Sequence, residues 1–277
     1  MDPKTILVPF SGSSEDQSVL RYAFSLAEAH DAAVEALHVL PDPERADMSY
    51  AYGDVMFYPE TAADEMREAN AARRRAAEEK FSVIARGIRA QKALFHAVIG
   101  DVGETIAARG RVSDLIVMGK GGNDAPDMPV DAAIFGSGRP VLLLPPESHD
   151  GKFGDSVLVA WNGSKEAAQA VAFAMPYMRR KRVWVLTERE EEAGEFPLSL
   201  EDLTRYLQQH GIKAEKAPMN IRNGVPLPES ILDAARTLRV GMIVMGAWGH
   251  SRLREYILGG VTRFMLESAD VPLFLMH

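Results

Sequence analysis

The chain of 277 residues contains no cysteine. It therefore forms no disulfide, offers no thiolate to a metal ion and performs no thiol chemistry. Its seven histidines also lack a metal-ligand spacing such as His-x-x-x-His. These absences exclude thiol enzymes and thiolate metal sites, and they agree with a cytoplasmic location.

Long hydrophobic runs are also absent, since no apolar run approaches the roughly 20 residues that span a bilayer. The N-terminus, Met1 to Lys4, has no basic stretch followed by an apolar one, so we expect it to enter a strand directly and not to act as a secretory signal. Hydrophobic residues make up 47% of the chain and charged residues 25%, as in soluble globular proteins. We expect a cytoplasmic protein without a membrane segment, long enough for two domains.

The chain has no excess of positive charge, because its formal net charge is −8. Binding the phosphate backbone of a nucleic acid requires a basic face. Nucleic acid is therefore excluded as the expected partner. A single phosphorylated small molecule is compatible with the composition, since one loop can attract an anion locally in an acidic protein.

The two halves of the chain repeat the same segments in the same order. Each half has an opening apolar strand, a strand ending in Ile-Val-Met-Gly and a last strand led by proline. The matching pairs are Ile6–Ser13 with Val157–Ser164, Asp114–Gly119 with Gly241–Gly246, and Arg139–Leu144 with Val271–Met276. Such a repeat decides the whole fold prediction. We predict one domain over residues 1–146 and a second over residues 154–277, joined by a polar stretch with glycine and proline.

Within each half, short apolar runs alternate with longer segments of helical period. Continuous apolar runs such as Leu115–Met118 indicate strands covered on both faces, as in a parallel sheet. We predict that Ser13 or Ser14 caps the first helix of the first half and that Ser164 caps its counterpart. Each half is therefore predicted to be a doubly wound, Rossmann-like α/β domain with a five-stranded parallel sheet flanked by helices. The strands expected in the second half cover residues 156–161, 182–187, 212–217, 241–246 and 271–276.

The first half carries twenty extra residues, 41–60, between its second strand and second helix, with four aromatic residues among them. A long helical segment follows to about Ala90 and contains Arg73–Arg75. We interpret these features as a surface-packed aromatic loop and a solvated basic turn. A lid or a partner-binding segment is the alternative.

Four glycines lie after the fourth strand of the second half. Gly246 and Gly249 occur where the chain leaves the carboxyl edge, which is the edge where open α/β sheets bind ligands. Gly259 and Gly260 precede Val261–Glu267, whose apolar residues have helical spacing. A helix N-terminus offers unpaired N–H groups and a partial positive charge, and glycines let a phosphate approach them. We predict anion capture by the main chain here, although the spacing alone is also compatible with glycines that only turn the chain.

The glycine spacing and the repeat together resemble the universal stress protein family, over nearly the whole chain. The family's nucleotide signature is a glycine, two residues, a glycine, nine residues, then a glycine and a small hydroxyl residue. Gly246, Gly249 and Gly259 match this signature, whereas Gly260 stands where the family usually has serine or threonine. The resemblance implies an adenine nucleotide alpha hydrolase-like fold and a stress-response regulator that binds ATP or another adenine nucleotide in the second half, with Mg²⁺ as a candidate companion. The residues implied to contact the nucleotide are Ala160, Asn162, Met245, Gly246, Gly249, His250, Gly259, Gly260, Val261 and Thr262.

Two of these positions carry specific expectations. Asn162 stands at the strand end where nucleotide binders of the family often have aspartate. Asparagine keeps an acceptor oxygen for a ribose hydroxyl but loses the charge, so the expected contact is weaker. His250, inside the loop, is interpreted either as a phosphate contact or as a residue of the loop surface.

The first half lacks the nucleotide pattern. Gly136 lies four residues before Pro140, so we expect it to form the turn that leaves the helix. Residues 124–129 place two carboxylates and two prolines where N–H donors would be required. Ser11 replaces the strand-end carboxylate. We therefore predict a degenerate site and a structural role for this half.

Residues 11–16 resemble the phosphate loop of pyrophosphatase-type ATP enzymes, but Ser13 replaces the second glycine and Asp16 is one place late. Nothing else supports catalysis, so no catalytic residue is assigned and at most weak ATP hydrolysis is expected. His38 and His96 lie in apolar strands and are interpreted as core or strand-end residues.

Two function classes stay open: a nucleotide-binding stress regulator, and a scaffold of the same family that binds no nucleotide. Both act through an unidentified protein partner. The last strands, Val141–Leu144 and Leu273–Met276, are too apolar for a bare sheet edge. We predict that they pair with each other within one chain, and the sequence does not require a homodimer.

Overall fold

The computed structural model describes the chain in eight segments, and all structural statements below refer to them. They are residues 2–44, 62–88, 90–121, 129–146, 154–187, 200–218, 225–247 and 260–277. The first repeat contains β1 (Thr5–Pro9), α1 (Asp16–His30), β2 (Ala33–Leu40), α2 (Ala62–Gly87), β3 (Ala93–Ile99), α3 (Val102–Gly110), β4 (Leu115–Gly119), α4 (Val130–Ser137) and β5 (Val141–Leu144). The second contains β6 (Ser156–Trp161), α5 (Lys165–Met178), β7 (Arg182–Thr187), α6 (Leu200–Gln209), β8 (Ala214–Lys216), α7 (Leu227–Thr237), β9 (Met242–Gly246), α8 (Gly260–Ser268) and β10 (Leu273–Met276).

The described strands form one sheet in the order β3-β2-β1-β4-β5-β10-β9-β6-β7-β8. Neighbouring strands are parallel within each repeat, as predicted. The exception is the junction, where β5 and β10 pair antiparallel with Leu142 opposite Phe274. The predicted pairing of the two last strands is thus confirmed. Since the strand order reads the same from both ends, the two repeats are related by a pseudo-twofold axis at this junction.

The helices cover both faces of the sheet, as a doubly wound fold requires. One core layer holds side chains of α1, α2, α5 and α6, and the other holds side chains of α3, α4, α7 and α8. The four residues of each central strand β5 and β10 are all buried. These strands read as unbroken apolar runs because they are covered on both faces. In the described part of the chain, no helix is long and apolar enough to cross a membrane.

Three local predictions need comment. Ser164 caps α5, since its side chain accepts a hydrogen bond from the N–H of Ala167, as predicted. The serine cap predicted for α1 is wrong, because α1 begins at Asp16 after Glu15, whose side chain makes no capping hydrogen bond. The strand predicted over residues 212–217 is shorter, covering Ala214–Lys216 at the edge of the sheet.

The insertion at residues 41–60 lies mostly outside the described residues. The helix that follows it, α2, ends at Gly87, close to the predicted end near Ala90. Arg73, Arg74 and Arg75 are exposed on α2. This agrees with the interpretation of a solvated basic turn.

Candidate functional site

Each repeat has one topological switch point. It lies between the two neighbouring strands from which the chain continues towards opposite sides of the sheet. These points lie between β1 and β4 and between β6 and β9. Ligands of open α/β sheets bind in the crevice outside the carboxyl ends of the strands at such points. Because β5 and β10 are antiparallel, the strands of the two repeats point in opposite directions. The two crevices, at the carboxyl ends of the strands, therefore open on opposite sides of the molecule.

In the second repeat, the register brings two predicted site segments together, because Ala160 of β6 pairs with Met245 of β9. Asn162 follows β6 and is exposed. Its Oδ1 atom accepts a hydrogen bond from the N–H of Ser164 at 3.1 Å. A ribose hydroxyl would therefore meet an oxygen that already accepts one hydrogen bond, and this reinforces the expectation of a weak contact.

Gly246 lies at the end of β9 against the first turn of α5. A Cβ atom at this position would lie 2.6 Å from the backbone N of Ala167 and 2.8 Å from the backbone C of Glu166. Only glycine allows this approach of helix and strand. The sequence pattern indicated a ligand role for Gly246, and the structure shows a packing role that its spacing did not reveal.

Met245 differs from the other predicted site residues because its side chain belongs to the core. It is 4% exposed, in the layer that also holds residues of α7 and α8. Any contact between Met245 and a base or ribose would therefore involve its main chain. Ala160 is half-buried beside it.

Helix α8 begins at Gly260, where the sequence predicted a helix start. Gly260 is exposed and Val261 is half-buried, whereas Thr262 is buried at 3% exposure. Among the described residues, no heavy atom lies within 4 Å of a Cβ built on Gly260, and Gly260 is not among the glycines with positive φ. A side chain added at this position would thus not clash with the described residues. Gly249, His250 and Gly259 lie outside the described residues.

Two buried residues at the end of β6 and the start of α5 were not among the predicted site residues. Glu166, in the first turn of α5, is 6% exposed, with the Nζ of Lys165 at 3.4 Å from its Oε1. Trp161, the last residue of β6, is 8% exposed, and its indole Nε1 has no hydrogen-bond partner among the described residues. Their burial depends on packing that the sequence does not specify.

In the first repeat, the loop between β1 and α1 is closed by the carboxylate of Asp16. Asp16 is 7% exposed, and its Oδ2 accepts hydrogen bonds from the N–H of Gly12 at 2.6 Å and from the Oγ of Ser11 at 3.0 Å. Lys80 of α2 donates from Nζ to the carbonyl oxygens of Gly12 and Ser13. The backbone N–H of Ser13 donates to the Oγ of Ser11 at 3.0 Å. The backbone N–H groups of Gly12 and Ser13 thus donate within the chain, whereas the buried Oγ of Ser13 has no hydrogen-bond partner among the described residues.

Gly136 has a role other than the one predicted. It lies within the last turn of α4, and the residue that leaves the helix in a left-handed conformation is Gly138. A Cβ on Gly136 would lie 2.6 Å from the Cβ of Ala107, so Gly136 allows α4 to pack closely on α3. The predicted obstacle in this repeat, residues 124–128, lies outside the described residues.

His38 and His96 each lie within hydrogen-bonding distance of another residue of the first repeat. His38 is buried, and its Nδ1 lies 2.8 Å from the carbonyl oxygen of Phe10, as predicted for a core residue. The prediction for His96 is wrong, because its side chain is 53% exposed and its Nδ1 lies 3.0 Å from Oε1 of Glu35. It lies within β3, which is an edge strand. Among the described residues, no cluster of three or more acidic or histidine side chains could hold a metal ion.

The closed loop predicts a pH dependence of stability. Burial raises the pKa of Asp16 above 3.8, against the lowering effect of its hydrogen bonds from Ser11 and Gly12. The Asp16 carboxyl therefore binds its proton more tightly in the folded protein than in the unfolded chain. As a result, the contribution of Asp16 to the free energy of unfolding is largest below pH 3.8 and falls as the pH rises through the raised pKa. Relative to wild type, Asp16→Asn should therefore become more stable towards neutral pH. Urea unfolding of both proteins from acidic to neutral pH measures the difference in their free energies of unfolding. A difference that does not change with pH contradicts this prediction.

Comparisons with known proteins agree with this architecture. The family described as "Universal stress protein family" matches residues 3–137 and 155–277. The crystal structure of a universal stress protein from Archaeoglobus fulgidus DSM 4304 is similar, with 21% identity, a TM-score of 0.70 and coverage of 98% of this chain and 97% of that chain. A putative universal stress protein from Pseudomonas aeruginosa UCBPP-PA14 has 14% identity, a TM-score of 0.58 and coverage of 99% and 93%. Among curated proteins, none shows significant similarity.

Proposed function

The chain belongs to the universal stress protein family, and on this premise we propose that its second repeat binds one adenine nucleotide, ATP, ADP or AMP. The observation that carries the proposal is α8, which is described from Gly260 onwards, after the family's glycine spacing and after β9, one of the two strands at the switch point. In this proposal, the bound nucleotide changes a surface that a protein partner recognises. The first repeat serves as a fixed structural partner.

The chemistry of phosphate binding follows from the helix start. The first N–H groups of a helix have no partner within the helix, and the helix dipole favours an anion there. Each hydrogen bond to a charged group contributes about 1.5–3 kcal/mol, so two or three main-chain donors hold a phosphate without a lysine. Exposure of Gly260 supports this role, because a ligand can reach its backbone. Mg²⁺, where present, would be bound mainly by the phosphate oxygens.

A scaffold that binds no nucleotide is the second candidate, and specific observations favour it. The Asn162 oxygen already accepts a hydrogen bond from Ser164. Glu166 places a buried carboxylate beside the crevice. Gly260 lacks the hydroxyl that the family usually supplies. All three features lower the expected affinity for a nucleotide.

Calorimetric titration of ATP, ADP and AMP into the intact protein tests the proposal. We expect one site per chain, because the first-repeat loop is closed by Asp16. Mass spectrometry of small molecules released on denaturing freshly purified protein identifies a ligand that copurifies. No binding at millimolar nucleotide favours the scaffold, and two sites per chain contradict the assignment to one repeat.

Gly260→Ser is expected to raise nucleotide affinity about tenfold, because a hydroxyl bound to a charged oxygen contributes about 1.5 kcal/mol. Within the described part of the chain, no atom lies within 4 Å of a Cβ at Gly260. Gly87→Ser is the matched control, since a Cβ at Gly87 also meets no described atom within 4 Å, and Gly87 ends α2 in the other repeat. Calorimetry compares both variants with wild type. An equal affinity in all three proteins would show that the hydroxyl does not reach the ligand.

A further inference from the structure

A cavity of about 630 Å³ lies in the first repeat, between α1 and the end of α2. Its volume falls within the range of about 300–1,000 Å³ that is usual for small-molecule sites. Its lining residues all belong to the first repeat, and they include Ala32, which precedes β2, and Lys92, which precedes β3. The cavity is therefore at the amino ends of these strands, away from the crevice at their carboxyl ends.

The floor of the cavity is apolar. It is formed by five side chains that are buried or half-buried: Phe24, Ala27, Ala32, Ile88 and Ala90. The repeat alignment pairs Ala27 with Met178, which is fully buried in α5. The second repeat thus has a long side chain where the first has a single methyl group. The small side chain of Ala27 leaves apolar surface open to a ligand.

Two opposite charges among the exposed lining residues have no partner. Arg21 and Glu28 are exposed on α1, and neither makes a hydrogen bond or an ion pair with a described residue. The other two charged lining residues pair with each other, since the Nζ of Lys92 lies 2.5 Å from the Oδ1 of Asp31. Arg21 and Glu28 are seven positions apart, so they lie on one face of the helix, about 10 Å apart along its axis. The cavity therefore offers one free cation and one free anion at this spacing.

Polar side chains that can bind amide groups also line the cavity. Ser25 is exposed on the same face of α1, between Arg21 and Glu28, and Gln91 is exposed after the end of α2. A hydroxyl and a carboxamide each donate and accept hydrogen bonds, as a peptide group requires. A matching ligand has a carboxylate at one end, an ammonium group at the other, amides between them and apolar side chains. Three extended residues span about 10 Å.

We propose that this cavity binds a short apolar peptide with free ends, about three residues long. Its carboxylate contacts the guanidinium of Arg21, which suits a carboxylate because it can donate two parallel hydrogen bonds. Its ammonium group contacts the carboxylate of Glu28, and its apolar side chains cover Phe24 and Ala27. The inference adds a ligand to the repeat that has only a structural role in the proposed function, and it does not depend on nucleotide binding.

Calorimetric titration of the tripeptide alanyl-phenylalanyl-alanine into the full chain tests the inference. Two derivatives each remove one end charge: the C-terminal amide removes the carboxylate, and the N-acetyl peptide removes the ammonium group. Wild type should bind the free peptide about threefold to tenfold more tightly than either derivative, because each derivative loses one charged contact. A wild type that binds no peptide at millimolar concentration, or binds all three equally, overturns the inference.

Exchanging the two charged residues assigns each end of the peptide. Arg21→Gln should bind the free peptide and its amide equally and still prefer both to the N-acetyl peptide, whereas Glu28→Gln should lose only the preference for the free amine. Arg74→Gln is the matched control, because Arg74 is exposed on α2, roughly 20 Å along the helix from its end at Gly87. It should keep both preferences. An Arg21→Gln protein that still prefers the free carboxylate contradicts the assignment.

Ala27→Met tests the location of the site. It introduces the side chain that the second repeat has at Met178, so it should fill the cavity floor and abolish binding of all three peptides. Urea unfolding establishes whether this variant is folded. Peptide binding that is unchanged in a folded Ala27→Met protein overturns the inference. If the variant does not fold, the Arg21 and Glu28 variants still decide, because they change only exposed side chains.

Discussion

Replacing Gly246 with alanine is expected to lower the free energy of unfolding by about 2 kcal/mol. The added Cβ would lie 2.6 Å from the backbone N of Ala167, and a backbone atom cannot move aside as a flexible side chain can. The first turn of α5 must then separate from β9. Because this turn follows Asn162, nucleotide binding should be lost together with stability. Urea unfolding and calorimetry measure the two effects.

Gly260→Ala is the matched control for this prediction. It adds the same methyl group to Gly260, the other predicted site glycine that the structure describes, and no atom of the described residues lies within 4 Å of the new Cβ. Alanine is a better helix former than glycine, so the control should be as stable as wild type or slightly more stable. Equal urea midpoints for Gly246→Ala and Gly260→Ala would show that the close approach at Gly246 does not constrain the fold.

Separately produced halves, residues 1–146 and 154–277, are expected to form a 1:1 complex with a Kd of about 1 μM or tighter. Separation would expose β5 and β10, whose residues are at most 5% exposed in the intact chain. It would also break contacts between α1 and α5, where the ring centroids of His30 and Tyr177 lie 5.1 Å apart. Sedimentation of the halves, alone and mixed, measures this association.

Leu142→Lys in the first half provides the control for the association. Leu142 is fully buried on β5 opposite Phe274, and an ammonium group there is costly to bury. The variant half should not bind its partner, although a fold defect would have to be excluded by circular dichroism. Two wild-type halves that stay soluble monomers when mixed would contradict the assigned role of the junction.

The two repeats use equivalent positions in different ways. In the first repeat, Asp16 accepts a hydrogen bond from the N–H of Gly12 in the loop that precedes α1, and Lys80 of α2 donates one to the carbonyl oxygen of Gly12. In the second, the residue equivalent to Asp16 is Ala167, and the cap of α5 is supplied by Ser164. In the first loop, the backbone N–H groups of Gly12 and Ser13 therefore donate within the chain, whereas the second loop keeps an exposed Asn162 at its crevice. This difference is the structural basis for proposing one nucleotide site per chain.

The sequence by itself determined the duplicated α/β fold, the pairing of the last strands and the start of α8 at Gly260. These features depend on apolar periodicity, on turn residues and on the burial of whole strands, all of which are written in short stretches of sequence. The Ser164 cap was predictable for the same reason, because its hydrogen bond spans three residues. Local chemistry was sufficient in each case.

Only the tertiary structure decided the roles of individual site residues. Gly246 is required by α5, Met245 belongs to the core, and Asp16 closes a loop with help from a lysine of α2. Each role depends on atoms that meet across long separations in sequence, such as the separation of 68 positions between Lys80 and Gly12. A glycine that allows a ligand to approach the backbone and a glycine that allows a helix to pack closely have the same sequence spacing. The two differ only in which atoms occupy the space where a Cβ would be.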